Sequence, residues 1–378
     1  MAKTSMTMTT MAKPLLAVLA LGACVGQMLV ECSTYPRPQH AAAMDNLITF
    51  GDSFTDEGRL DYFIRHRAAP PTGSALPPSN ATFSGGYAWS RFVAGRTGAA
   101  SYNYAVGGAM CSDAIADRTA DIIGGRIPSV LDYEVPAFEA DIAHAASREY
   151  PGQGGGPPRL FPDRRRRRPD NSVYVVWIGT NDLGTSGFLG SAQRPGQTLA
   201  SFADCVWTVL DRLHRAGGRR FVLVNQLPLE LAPMYARPGV FGSSNSRFVR
   251  DPAAYNVTDF ADKLRQYTTA VNAMFDNGVP VNLRVRSRWP GATVSLLDAH
   301  AIVTDVDADP ARYLDAPANA TAPYKRCTPA CAVAPEPLSS FVWADELHPS
   351  ERMHEIFAKH FTDLVVHGHS KYGTTYHG

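Results

Sequence analysis

Short apolar runs that end in glycine alternate along this chain with longer stretches of three-to-four spacing. Asn46-Leu47-Ile48-Thr49-Phe50 is an apolar run closed by Gly51 and predicts a buried strand. Tyr102 to Val106 predicts a second strand, ending at Gly107-Gly108. Val173 to Ile178 is continuously apolar, as a strand covered on both faces should be. Phe221 to Val224 and Val294 to Leu297 predict a fourth and a fifth. Between them, helical spacing predicts Trp89–Arg96, with Trp89, Phe92 and Val93 on one side, and Pro136–Ala146, with Pro136 tolerated in its first turn. Thr198–Ala216 is a long amphipathic stretch stopped by Gly217-Gly218. Asp259–Phe275 predicts a helix stopped near Asn277-Gly278, and Ser350–Val366 a last one capped by Ser350. The Pro- and Gly-rich stretch Ala68 to Gly86 reads as loop. Residues 151–170 carry Gly154-Gly155-Gly156-Pro157-Pro158 and the arginine run Arg164 to Arg168, and read as a disordered, solvated insertion. A processing site or a polyanion patch is the alternative for the arginines. Strands alternating with helices predict an α/β fold, a central parallel sheet of about five strands with helices on both faces. No repeat or internal boundary divides the stretch from 44 to 370, which reads as a single domain. In such sheets, active sites form beyond the carboxyl ends of the strands.

Composition narrows the function classes. The 378 residues are 45% hydrophobic and 19% charged, ordinary for a globular chain of this length. With 36 Lys plus Arg against 35 Asp plus Glu, nothing calls for nucleic acid, an anionic membrane or a polyanionic substrate. Residues 1–30 read as a secretory signal: Lys13 precedes the apolar run Leu15 to Val25, and a polar, proline-bearing stretch follows from Ser33 to Gln39. Gln27 interrupts the run too soon for a comfortable bilayer span, although a short anchor is the alternative. Met-Ala-Lys recurs at 11–13, so Met11 is a second possible start, and Leu21-Gly22-Ala23-Cys24 has the form of a lipoprotein cleavage site. Three glycosylation sequons, at Asn80, Asn256 and Asn319, favour a eukaryotic, secreted origin. Cys24 lies in the leader and Cys32 close to its approximate end, and with both removed Cys111, Cys205, Cys327 and Cys331 would remain. Four cysteines in an oxidising compartment favour disulfides, in any of three connectivities. One of these closes a small loop between Cys327 and Cys331 and pairs Cys111 with Cys205. No Cys or His cluster has zinc-site spacing.

Four segments carry candidate chemistry. Gly51-Asp52-Ser53 follows the first strand; a serine hydroxyl becomes a nucleophile only when a base accepts its proton, and it must stand free at an exposed turn. Gly107-Gly108 follows the second, where a glycine N–H can approach a developing oxyanion. Gly179-Thr180-Asn181-Asp182 follows the third, and the Asn181 amide is a neutral donor. In Asp345-Glu346-Leu347-His348-Pro349, a carboxylate three residues before a histidine can accept its Nδ1–H and leave Nε2 free for the serine. Each segment on its own is also an ordinary turn.

Together, in this order and at these strand ends, the four resemble the SGNH (GDSL) hydrolases. Gly-Asp-Ser at 51–53 looks like their first block, Gly108 (rather than Gly107) the glycine of the second, Asn181 the asparagine of the third, and Asp345 with His348 the Asp-x-x-His of the last. The finer pattern Ile48 to Gly58, with Asp345 to Ser350, is similar to the fungal carbohydrate esterase family 16 acetylesterases. The resemblance implies a flavodoxin-like three-layer sandwich, the SGNH hydrolase fold. It also implies a secreted esterase that removes acetyl groups from plant-wall sugars by way of an acyl-serine. Ser53, His348 and Asp345 would be catalytic, and Ser53, Gly108 and Asn181 would form the oxyanion hole. Phe54 stands where the family name has Leu.

No metal or cofactor is expected, and the expected partner is a small ester substrate, met as a monomer without stable membrane association. No G-x-S-x-G elbow is present, and His354-Glu355 with His360 misses the H-E-x-x-H spacing. The alternatives are a lipase or phospholipase of the same family, and a secreted carbohydrate-binding protein without catalysis. Trp89, Tyr104, Trp177 and Trp343 are aromatic neighbours of the motifs, and core packing accounts for them as well as sugar stacking does.

Overall fold

The apolar run at 46 becomes strand β1, Asn46–Gly51, buried at every position. The computed structural model describes residues 44–146, 160–162, 165–239, 246–249, 251–327 and 330–378. The stretch 1–30 read as a secretory signal, the glycine-rich part of the 151–170 stretch and Arg164 lie outside the described residues. The sheet continues with β2 (Ala100–Asn103), β3 (Ser172–Trp177), β4 (Arg220–Val224), β5 (Thr293–Leu297) and β6 (Gly373–His377). Spatial order is β2-β1-β3-β4-β5-β6. The first five are parallel, in the doubly wound order whose reversal lies between β1 and β3. β6, which the sequence reading lacked, runs antiparallel to β5 as an edge strand. Its Gly-Thr-Thr-Tyr-His is half exposed and has no apolar run to announce it.

Period-two alternation on β3 shows how both faces are covered. Tyr174 meets Phe138 of helix α3 (Val135–Ala146) at 5.9 Å between ring centroids. Trp177, three residues on and so on the other face, meets Phe357 of α7 (Glu351–Val365) at 5.2 Å. Trp89 of α2 (Trp89–Thr97) packs on the same side, 5.2 Å from Phe361. Beside α3 lie α4 (Leu199–Arg215), opened by a Thr198–Ser201 capping box, and α5 (Phe260–Pro280). α5 runs past Gly278 instead of stopping there, because a Cβ on Gly278 would sit 2.5 Å from Trp207: this glycine serves close helix packing. Two short helices were not anticipated, α1 (Arg59–His66) and α6 (Ala299–Ala308), the latter capped by Asp298. β2 starts earlier and ends sooner than its pattern suggested. Beyond Asn103 the chain still donates from Tyr104 and Val106 to Thr49 O and Gly51 O at 2.9 and 3.1 Å, carrying the second motif alongside the first. Part of the arginine run is tied to the body: Arg165 donates to Gly98 O, and Arg167 to the Tyr174 hydroxyl.

Candidate active site

β1 ends in a turn that only glycine allows. Gly51 has φ 150°, and a Cβ there would lie 2.1 Å from Trp177 O. The buried Glu134 carboxylate accepts the Gly51 and Val106 N–H groups at 2.9 and 3.2 Å, fastening the ends of the first two strands. Thr55 and Asp56 N–H both donate to Asp52 O at 2.9 Å, and this tight turn presents Ser53. Ser53 Oγ stands 2.8 Å from His348 Nε2.

The Asp345–His348 spacing works through an Asx turn. Asp345 Oδ1 accepts the backbone N–H of Leu347 and of His348, each at 2.9 Å, and this folds the chain back on itself. His348 Nδ1 then reaches Oδ1 at 2.8 Å and Oδ2 at 3.0 Å. Burial pushes the Asp345 carboxyl up, but the charge of His348, its hydrogen bond and the two backbone donors outweigh burial and hold it at about 2. Arg247, which the sequence reading missed, donates to Asp345 Oδ2 at 2.7 Å from 98 residues away. The buried His348 ring lies among three phenylalanines: Phe83 stacked at 4.7 Å, Phe248 edge-on at 5.6 Å and Phe54 edge-on at 5.9 Å.

On the other side of Ser53 lie the second and third motifs. Asp56 accepts N–H groups from Gly58, Arg59, Leu60 and Gly107, capping α1 and tying it to the glycine turn. With the Gly107 N–H so engaged, neither the Gly108 nor the Ser53 N–H has a protein acceptor among the described residues. Gly108 takes φ 86°, which favours glycine. Asn181 sits in the helical turn Thr180–Leu183 after β3, and its Nδ2 donates one hydrogen to Ala109 O at 2.9 Å. Arg118, also absent from the sequence reading, donates to Asn181 Oδ1 at 2.5 Å and to Gly108 O at 2.7 Å. Ser53, Gly108 and Asn181 thus follow the ends of β1, β2 and β3, Asp345 and His348 lie in the turn before α7, and hydrogen bonds link Asp345, His348 and Ser53 in a line.

The chain belongs to the GDSL-like lipase/acylhydrolase family. The family profile matches residues 47–361, spanning all four motifs. An acetylesterase of Hypocrea jecorina is 39% identical over 346 residues, covering 90% of this chain and 94% of its own. A second acetylesterase, from Thermothelomyces thermophilus, is 28% identical over 62% of this chain and 72% of its own. Among solved structures, an acetylxylan esterase from Geobacillus stearothermophilus aligns over 86% of this chain and 96% of its own, at 13% identity and a TM-score of 0.40, too loosely to bear on the site. The protein is a carboxylic ester hydrolase, which sets aside the binding-only alternative.

The GDSL hydrolase pairs Cys111 with Cys205 and Cys327 with Cys331. Asp182 accepts the Cys111 N–H at 3.0 Å, so the first disulfide anchors the loop behind Asn181. The sequons at Asn80 and Asn256 are exposed, and that at Asn319 is half-buried. No cluster of three or more metal-ligating side chains occurs among the described residues, and no described helix is long and apolar enough to cross a membrane.

Two buried carboxyls beneath the site give this esterase a pH-dependent stability. Burial pushes Asp182 up to about 7, and the nearby Asp52 charge adds to the rise. Burial likewise pushes Asp52 up to about 6, against the Phe54 N–H, His348 and Arg118. Both values lie above the ordinary 3.8, so the folded state keeps protons that the unfolded chain has released. The stability contributed by the pair therefore falls as pH rises from about 4 to about 7. Urea unfolding at about pH 5 and about pH 7.5 should show this loss, and Asp182→Asn should make it smaller. An unchanged pH dependence in the variant would contradict a protonated Asp182.

Proposed function

We propose that this chain is a secreted acetylesterase that removes O-acetyl groups from plant cell-wall carbohydrates through an acyl-serine intermediate. The observation that carries the reading is the hydrogen-bonded line from Asp345 through His348 to Ser53, at 2.8 Å for each step. Ser53 Oγ attacks the ester carbonyl carbon while its proton passes to His348 Nε2. Negative charge gathers on the former carbonyl oxygen, where the N–H groups of Ser53 and Gly108 and the free Nδ2–H of Asn181 receive it. Asp345 keeps the Nδ1–H tautomer and offsets the imidazolium charge. The C–O bond to the sugar then breaks, and the leaving alkoxide takes the proton from Nε2. Water, deprotonated by the same nitrogen, attacks the acetyl-serine. Acetate leaves and the proton returns to Ser53.

Because His348 protonates the leaving group, the alcohol part of the substrate belongs on the histidine side. A cavity of about 170 Å³ lies between α1 and Phe83, the ring that stacks on His348, walled by Leu60 and Ile64 and with Asp56 and Asp61 in its lining. Its apolar walls and carboxylates suit a sugar ring. The 39% identity to a protein named acetylesterase supports the acetyl group, and the two disulfides support an extracellular setting. The test is hydrolysis of p-nitrophenyl esters of increasing chain length beside acetate release from acetylated xylo-oligosaccharides. Activity should be greatest on acetate, fall steeply beyond about four carbons, and extend to the sugar esters. Preference for long acyl chains would move the function to lipid esters.

A further inference from the structure

We propose that Arg118 is a positioning residue of the oxyanion site, one guanidinium nitrogen holding both the Gly108 turn and the Asn181 amide in the orientation that receives the developing charge. The proposal rests on the reading of Gly108 and Asn181 as oxyanion donors. Nη1 of Arg118 donates to Gly108 O at 2.7 Å and to Asn181 Oδ1 at 2.5 Å, so the second and third motifs meet on a single atom.

The orientation of Asn181 is fully determined by its neighbours. A flip of its amide would set Oδ1 against Ala109 O, an acceptor facing an acceptor, and Nδ2 against Arg118, a donor facing a donor. With the amide held this way, Nδ2 spends one hydrogen on Ala109 O and keeps the other for substrate. A cation on the amide oxygen also draws electron density from the nitrogen and strengthens the remaining N–H as a donor. At Gly108 the contact is close: a Cβ there would lie 3.2 Å from Nη1. The turn rests on the guanidinium, which holds the peptide following Gly108, while Asp56 holds the Gly107 N–H on the other side, so that the turn presenting the Gly108 N–H is pinned at both ends. A lysine ammonium is a point charge without the planar fork, so it should replace this function only in part.

The test is kcat and KM on p-nitrophenyl acetate for Arg118→Met, Arg118→Lys, Asn181→Ala and the double variant Arg118→Met/Asn181→Ala. Arg118→Met should lower kcat by about 10- to 100-fold with KM changed less than about threefold, and Arg118→Lys should fall between it and wild type. Asn181→Ala should lower kcat by roughly 10²- to 10³-fold. The double variant should lose less than the product of the two single losses, because part of the Arg118 effect passes through the Asn181 donor. Should Arg118→Met not fold, the same cycle with Arg118→Lys carries the test. A kcat for the folded Arg118 variants within about twofold of wild type, or losses that multiply with Asn181→Ala, would overturn the proposal. A negligible effect of Asn181→Ala would instead overturn the oxyanion assignment on which it rests.

Discussion

Ser53→Ala is expected to lower kcat on p-nitrophenyl acetate by about 10⁴-fold or more while leaving the protein folded. In the proposed mechanism the hydroxyl oxygen forms the acyl bond, and the Ser53 side chain is buried with His348 as its hydrogen-bond partner. Removing it leaves His348 Nε2 without its donor but disturbs no backbone contact of the Asp52 turn, so thermal unfolding should shift little. The residual rate would come from oxyanion donors acting on a water. An activity within tenfold of wild type in a folded variant would remove Ser53 as nucleophile and require a different reacting group.

Asp345→Asn should cost about 10³- to 10⁴-fold in kcat. Two backbone N–H groups point at Oδ1, so an asparagine oxygen would take that place and its NH₂ would take the place of Oδ2. There it faces the Arg247 Nη2 donor, and it faces the imidazole without a negative charge to offset the imidazolium. The acid limb of stability should change as well. The folded carboxyl sits at about 2, below its ordinary 3.8, so its contribution is fully present above about pH 4 and is lost as pH falls through about 2. In the asparagine variant that portion of the acid limb should disappear, and denaturant unfolding between about pH 2 and about pH 4 should have a shallower slope than wild type. Full activity in Asp345→Asn would show that His348 is oriented by something other than this carboxylate.

The two substitutions act on motifs that were legible without coordinates, and the reason is local. Asp345 and His348 are brought together by a turn of the intervening residues themselves, so their spacing in sequence already encodes their meeting. Gly51 marks the end of β1 because the residue there must leave the extended region beside Trp177. Arg118 and Arg247 were not legible. Single arginines in loops carry no periodicity, and each acts on a partner 63 or 98 positions away. Nothing along the chain singled out Phe83 and Phe248, which the fold lays against His348.

What the sequence determined by itself was the alternation of buried runs and amphipathic helices, and the residue types at three strand ends and in the turn before the last helix. Both follow from short-range physics: apolar spacing, glycine at turns, and a carboxylate reaching back to its own backbone. The tertiary structure decided the parallel order with its reversal between β1 and β3, which brings Ser53 and Asn181 to one crevice. It decided the antiparallel β6 at the edge, the extension of α5 past Gly278 against Trp207, and which cysteines pair. It also decided which cation meets Gly108 O and Asn181 Oδ1. These outcomes depend on segments meeting after the chain has collapsed, where the match of surfaces and charges between distant residues, and not the pattern along the chain, sets the free energy.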